Sequence, residues 1–218
     1  GESVVMRLLS QSGGLLSLER LNLPAHVAQA VQRAISRPSG MVLVTGPTGS
    51  GKTTTLYAAL NALNSSGKKI ITVEDPVEYR LPGLNQVQVL DKIDLSFDRV
   101  LRASLRQDPD IILVGEMRDQ KTAEIGLRAA LTGHLVLSTL HTNDAPSTIN
   151  RLMNMGIEPF LVASSLNLVC AQRLVRRICT NCKIDDPLPP AALVNVGFTA
   201  DLAETVVPKK GKGCEKCN

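Results

Sequence analysis

The 218 residues carry 24 Lys and Arg against 20 Asp and Glu, a net charge of +4, with 44% apolar and 20% charged residues. That balance excludes a disordered or fibrous chain and leaves room for one sizeable α/β core plus a small appendage. No apolar run approaches a membrane span and no signal peptide is visible, so any membrane contact is expected to go through partners. With no Trp, two Tyr, three Phe and no long basic run, nucleic acid is not an expected partner.

In chain order, residues 3–9 read as a short strand and Ser10-Gln11-Ser12-Gly13-Gly14 as a hinge. Residues 1–12 are expected to be the tail of a preceding domain and its linker. Residue 1 is Gly, and the chain stops one residue after a cysteine pair, so a piece of a longer protein is expected. A helix is predicted from Pro24 to about Ser36, because Pro suits a first helical position. The strand Met41–Thr45 then feeds Gly46-Pro47-Thr48-Gly49-Ser50-Gly51-Lys52-Thr53, and a helix-favouring run from Thr54 to Leu60 follows. This is G-x-x-x-x-G-K-[ST] in the strand–loop–helix setting that a phosphate-binding loop requires. Its amides would wrap nucleotide phosphates at a positive helix end, with Lys52 on the β- and γ-phosphates. Thr53 would ligate Mg²⁺, and Thr54 opens the helix beside it.

Further on, Lys69–Val73 reads as a strand, and Gln86–Val89 as a small β excursion. Ser96 can cap a helix holding Phe97, Val100, Leu101 and Leu105 on one face. A strand at Ile111–Val114, a helix at about 120–131 and a strand at Leu135–Leu140 follow. Two helices, at about 146–155 and 159–173, close the core, the second opened by Pro159 and carrying Cys170 as a buried free thiol. Continuous apolar strands alternating with helices predict a mostly parallel sheet covered on both faces.

Ligands gather at the carboxyl ends of such strands. There the chain places the phosphate loop, Glu74-Asp75-Pro76-Val77-Glu78, Gly115-Glu116-Met117-Arg118-Asp119 and His141-Thr142-Asn143-Asp144. Asp119 and Asp144 alone would read as helix caps, and Asp75-Pro76 as a turn; four polar strand ends beside one phosphate loop point to a site. His141 follows its strand and is the candidate γ-phosphate contact, whereas His134 precedes the strand and reads as structural. By the same logic Glu116 is the candidate water-positioning base. Glu78, with Glu74 and Asp75, would support the metal shell or share the base's role, and that division stays open.

Cys179-Thr180-Asn181-Cys182 and Cys214-Glu215-Lys216-Cys217 form C-x₂-C…C-x₂-C with thirty-one residues between the pairs. Four such thiolates suit tetrahedral zinc, with a pair of disulfides as the disfavoured alternative. The loop between them, bracketed by Asp185–Pro190 and Pro208–Gly211, reads as solvent-exposed.

GPTGSGKTTT (46–55), ITVEDPVEY (71–79), RQDPDIILVGEMRD (106–119) and GHLVLSTLHTNDA (133–145) resemble, in order, the Walker A, Asp, Walker B and His boxes of secretion ATPases. These are the motors of type II secretion and type IV pili, and the resemblance covers essentially the whole chain. It implies a RecA-like P-loop ATPase core over 13–175 and a zinc module over 176–218. It also implies ATP, Mg²⁺ and Zn²⁺ as cofactors, and a homohexamer when full length. The place of work would be cytoplasmic, peripheral to the inner membrane of a bacterium, acting on an inner-membrane platform protein. An arginine at the position of Arg7 acts in that family as a finger toward nucleotide. The tetracysteine module is similar to that of assembly rather than retraction motors, and the choice between pilus and type II secretion leans to a pilus. Two alternatives stay in view: a RecA-like nucleic-acid translocase, opposed by scarce aromatics, and a non-catalytic ATP-dependent scaffold, opposed by intact Lys52, Thr53, Glu78 and Glu116.

Overall fold

The structure, a computed structural model, describes residues 3–4 and 17–217. Arg7, most of the strand expected over 3–9 and most of the tail expected over 1–12 lie outside the described residues. The chain divides between Leu174 and Val175 into two compact units.

In the first unit, β1 (Gly40–Thr45), β2 (Ile70–Glu74), β4 (Ile111–Val114) and β5 (Leu135–Leu140) are buried at every residue, as strands of a parallel sheet covered on both faces are. With the edge strands β3 (Asn85–Gln88) and β6 (Leu166–Ala171) they form one sheet in the order β3-β2-β4-β5-β1-β6, every neighbouring pair parallel. The β excursion expected near residue 86 is thus an edge strand of the main sheet.

Alternation along the strands divides the core between two faces. Val42, Val44, Ile111, Leu113, Leu135 and Leu137 pack beneath α1 (Ala25–Ile35) and α2 (Lys52–Leu63), which bring Ile35, Leu56, Tyr57 and Leu60. Met41, Leu43, Ile112, Val114 and Val136 face α3 (Phe97–Leu105), α4 (Gln120–Leu131) and α6 (Pro159–Ser165), which bring Leu101, Leu127 and Leu161. The helix α5 (Ala145–Asn154) adds Leu152 to this second face. Asp119 caps α4 by accepting from Thr122 N at 2.9 Å, and Asp144 caps α5 by accepting from Ser147 N at 2.7 Å.

The helix expected over 159–173 is corrected. It stops at Ser165, and Leu166–Ala171 becomes β6 against β1. The register shifts opposite Met41 and Val42, leaving Asn167 as an extra residue. Its amide donates to Ser39 O at 2.8 Å and accepts from Arg37 at 2.9 Å, so the bulge is held by side-chain bonds. Leu166 and Val169 consequently reach one face and Leu168 the other, which erases the period of two. Cys170 therefore sits half-buried on a strand, not on a helix, and burial pushes its thiol up.

In the second unit β7 (Lys183–Asp185) pairs antiparallel with β8 (Lys209–Gly211). The segment between them, expected as an exposed loop, contains two short helices, α7 (Pro190–Asn195) and α8 (Ala200–Thr205), around buried Leu193 and Ala203. Lys210 pairs with Asp186 at 2.8 Å, and Lys209 pairs with Asp185.

Candidate nucleotide site and tetracysteine cluster

The phosphate loop leaves the carboxyl end of β1 and enters α2. Gly46 and Gly51 both have positive φ, 147° and 84°, which a side chain would strain. A Cβ on Gly46 would also lie 2.4 Å from the carbonyl oxygen of Gln172. The loop wraps a cleft of about 750 Å³, in the range of small-ligand sites. Thr48, Gly49, Ser50, Gly51, Lys52, Thr53 and Thr54 line it, and Glu78, Glu116 and His141 line it as well. Gly46 and Pro47 form the foot of the loop.

Three features fit a phosphate. No side chain caps the amino end of α2, so its first amides are open to an anion. Lys52 is only 9% exposed, and its ammonium donates to the loop's own carbonyls, Gly46 O and Pro47 O, both at 3.0 Å. Desolvation lowers its pKa, while the charge of Glu116 acts in the opposite sense. Ser50 Oγ is buried and has no hydrogen-bond partner among the described residues.

Facing the loop, Glu116 at the end of β4 meets His141 at the end of β5. Glu116 Oε2 lies 3.3 Å from His141 Nε2, and Oε1 accepts from Arg118. Arg118 also donates to Asp75 Oδ2 at 3.1 Å, bridging the ends of β4 and β2, and its guanidinium lies 5.8 Å from the Phe97 ring centroid. The hydrogen bond to Glu116, above all, raises the Arg118 pKa. Glu74 is 3% exposed and its oxygens are engaged inside the fold: they accept from Tyr57 OH, Thr72 Oγ1 and Gln86 Nε2. His134 stands at the opposite end of β5, with Nδ1 3.0 Å from Ala129 O.

A chain of hydroxyls ties the strand ends together. Thr142 N donates to Thr45 Oγ1 at 3.0 Å, the two hydroxyls bond each other, and Thr142 Oγ1 lies 2.6 Å from Thr148 Oγ1. Arg173 donates to Asn143 O at 2.8 Å, and Gln172 reaches the phosphate loop. The contacts of Gln172 and Arg173 lie beyond the end of β6, where the sequence predicts a helix, and that expectation hides them. The polar pair Gln172-Arg173 directly after apolar residues is the available signal.

In the second unit the sulfurs of Cys179, Cys182, Cys214 and Cys217 all lie within 4.8 Å of one another, with nearest pairs at 3.6–4.0 Å. Zinc–thiolate bonds of about 2.3 Å in a tetrahedron put sulfurs roughly 3.8 Å apart, close to the nearest pairs, so the cluster could hold zinc. Asn181 donates to Cys214 Sγ at 3.5 Å and, with the Lys216 amide, holds that thiol down to about 6. Among the described residues this is the only group of His, Cys, Asp or Glu close enough to hold a metal. The carboxylates of the cleft do not converge in that way.

Across residues 1–218 the sequence matches the family described as Type II/IV secretion system protein. The chain belongs to that family. It is 57% identical, over its whole length, to the type IV pilus assembly ATPase PilB of Myxococcus xanthus, and covers 39% of that protein. It is 52% identical over its whole length to the type II secretion system ATPase E of Vibrio cholerae, covering 43% of it. The chain thus spans about two fifths of these relatives. Among solved structures, the pilus retraction motor PilT with bound ADP is similar with TM-score 0.68 and 40% identity, over 78% of this chain and 52% of PilT. The Legionella pneumophila ATPase DotB is similar with TM-score 0.62 and 32% identity, over 73% and 46%. The six-stranded parallel sheet between helical layers is the expected RecA-like ATPase architecture, accompanied by a four-cysteine cluster able to bind zinc.

Proposed function

We propose that this chain is the ATP-hydrolysing part of a hexameric motor that drives addition of pilin or pseudopilin subunits at the cytoplasmic face of a bacterial inner membrane. The observation that carries the reading is the contact of Glu116 with His141 across the cleft from Lys52 and the phosphate loop. The names of the relatives, PilB and the type II secretion ATPase, support the setting. The tetracysteine unit favours assembly over retraction, with a pilus as the first choice of system.

In the cycle we infer, Lys52 exchanges the carbonyls of Gly46 and Pro47 for the β- and γ-phosphates, with the amides of residues 49–54 around them. Glu116 orients the attacking water and accepts its proton, and His141 contacts the γ-phosphate. Glu78 lines the same cleft and supports this group or shares the base's role. When bound, Mg²⁺ neutralises charge developing on the phosphates, and Thr53 is the residue that would hold it. Arg7 would supply a finger toward nucleotide. We assign the ATPase core to 13–175, the preceding residues to the tail of another domain, and the zinc unit to 176–218. No helix among the described residues is long and apolar enough to cross a membrane. An inner-membrane platform protein would be the membrane-bound partner.

The test is ATP hydrolysis by the full-length protein with and without Mg²⁺ and DNA, alongside zinc content. Slow Mg²⁺-dependent turnover, indifferent to DNA, with one zinc per chain is expected. Strong stimulation by DNA would overturn the motor reading in favour of a translocase.

A further inference from the structure

The end of β6 grips the phosphate loop from outside the cleft. Gln172 Nε2 donates to Ser50 O at 2.8 Å, and its Oε1 accepts from Thr55 Oγ1 at 2.7 Å. The main chain of the same residue is also committed, because Gln172 N donates to Thr45 O at 2.8 Å. The fit is close: a Cβ on Gly51 would lie 2.9 Å from Gln172 Nε2. The partners fix which way the amide faces, since the Ser50 carbonyl can only accept and the Thr55 hydroxyl supplies a proton to the other end. The carbonyl and N–H of a trans peptide point in opposite directions. Holding Ser50 O outward against Gln172 therefore turns the Gly51 N–H inward, toward the space the phosphates fill. Gly51 has no side chain to resist rotation of that peptide, and its φ of 84° shows the freedom it has. Something outside the loop has to hold it.

We propose that Gln172 is a positioning residue that sets the Ser50–Gly51 peptide for phosphate binding, with Thr55 orienting the Gln172 amide. The inference rests on the nucleotide reading of the cleft and extends it to a residue that does not line the cleft. An amide hydrogen bond to a phosphate is present before and during hydrolysis, so its loss weakens binding uniformly and spares the chemical step.

The test compares ADP binding by calorimetry and steady-state hydrolysis in the full-length protein and three variants. Gln172→Glu sets a carboxylate oxygen against Ser50 O and is expected to weaken ADP and raise KM about tenfold or more, with kcat nearly unchanged. Gln172→Ala, which leaves the carbonyl without a donor, is expected to shift both in the same direction by less. Thr55→Val keeps the branched shape, removes the orienting hydroxyl and is expected to show a milder form of the same split. Wild-type ADP affinity in Gln172→Glu, or loss of kcat at unchanged KM, would overturn the proposal. If Gln172→Glu does not fold, Thr55→Val decides: unchanged ADP affinity there overturns it. Failure of the parent protein to bind ADP would instead overturn the nucleotide reading, a separable result.

Discussion

Tyr57→Phe removes a single hydroxyl from behind the cleft. Tyr57 is fully buried on α2, and its hydroxyl donates to Glu74, itself 3% exposed. The ring contacts survive the change, including the edge-on packing with Tyr79 at 4.6 Å between centroids. What is lost is one of three donors to a buried carboxylate, and hydrogen bonds to charged groups contribute about 1.5–3 kcal/mol. We therefore expect a cost of about 2 kcal/mol. For a unit of this size that lowers Tm by roughly 4–8 °C, readable by calorimetry. Alkaline titration gives a second reading. Burial first, and then the bond to Glu74, push the Tyr57 pKa up, so above about pH 10 the unfolded chain loses a proton that the folded chain keeps. Stability then falls as pH rises. Tyr57→Phe removes that part of the fall, leaving the share of Tyr79, which burial also pushes up. A Tm unchanged within 1 °C, at about the resolution such small ΔΔG values allow, with an undiminished alkaline fall, would refute the bond.

Zinc removal is expected to unfold the second unit selectively. Its buried apolar side chains are Leu193 and Ala203, too small a core to stand without the metal. A chelator should abolish one calorimetric transition and leave that of the parallel-sheet unit; a single unchanged profile would show that the cysteines do not bear a structural metal. Asp119→Ala deletes the cap of α4, including its 3.0 Å bond from Thr122 Oγ1, and is expected to cost about 1 kcal/mol in denaturant melts. Asp119→Asn should recover most of that loss, because its side-chain oxygen still accepts.

The phosphate loop and the strands around it were legible because their signals are local. Each buried strand is mostly apolar, and a parallel sheet sends the residues that follow the strands to one edge, which brings Lys52, Glu116 and His141 together from distant positions. The helices were legible too: α3 buries Phe97, Val100 and Leu101, the face its apolar spacing predicts, and α4 spans Gln120–Leu131, the range expected. The end of the core did not. Leu166–Ala171 is a short apolar run that periodicity alone cannot divide between helix and strand. The bulge at Asn167 then removed the alternation that would have decided it. With the strand went Gln172 and Arg173, whose partners at Ser50, Thr55 and Asn143 are long-range and leave no periodic trace. The Arg118 bridge from Glu116 to Asp75 was hidden for the same reason, since it depends on β2 lying beside β4. In the segment between the cysteine pairs, α7 and α8 are each six residues long, below the length at which apolar spacing declares a helix.

The central claim is that Lys52 binds the phosphates while Glu116 activates water, and one paired measurement separates these roles: ATP binding and ATP hydrolysis by the full-length protein carrying Lys52→Ala or Glu116→Gln. We expect Lys52→Ala to lose nucleotide binding or turnover. Glu116→Gln should retain ATP but hydrolyse it about 10²-fold more slowly or worse, the usual worth of a positioned base. Normal hydrolysis by Glu116→Gln would contradict the account and remove Glu116 as the base.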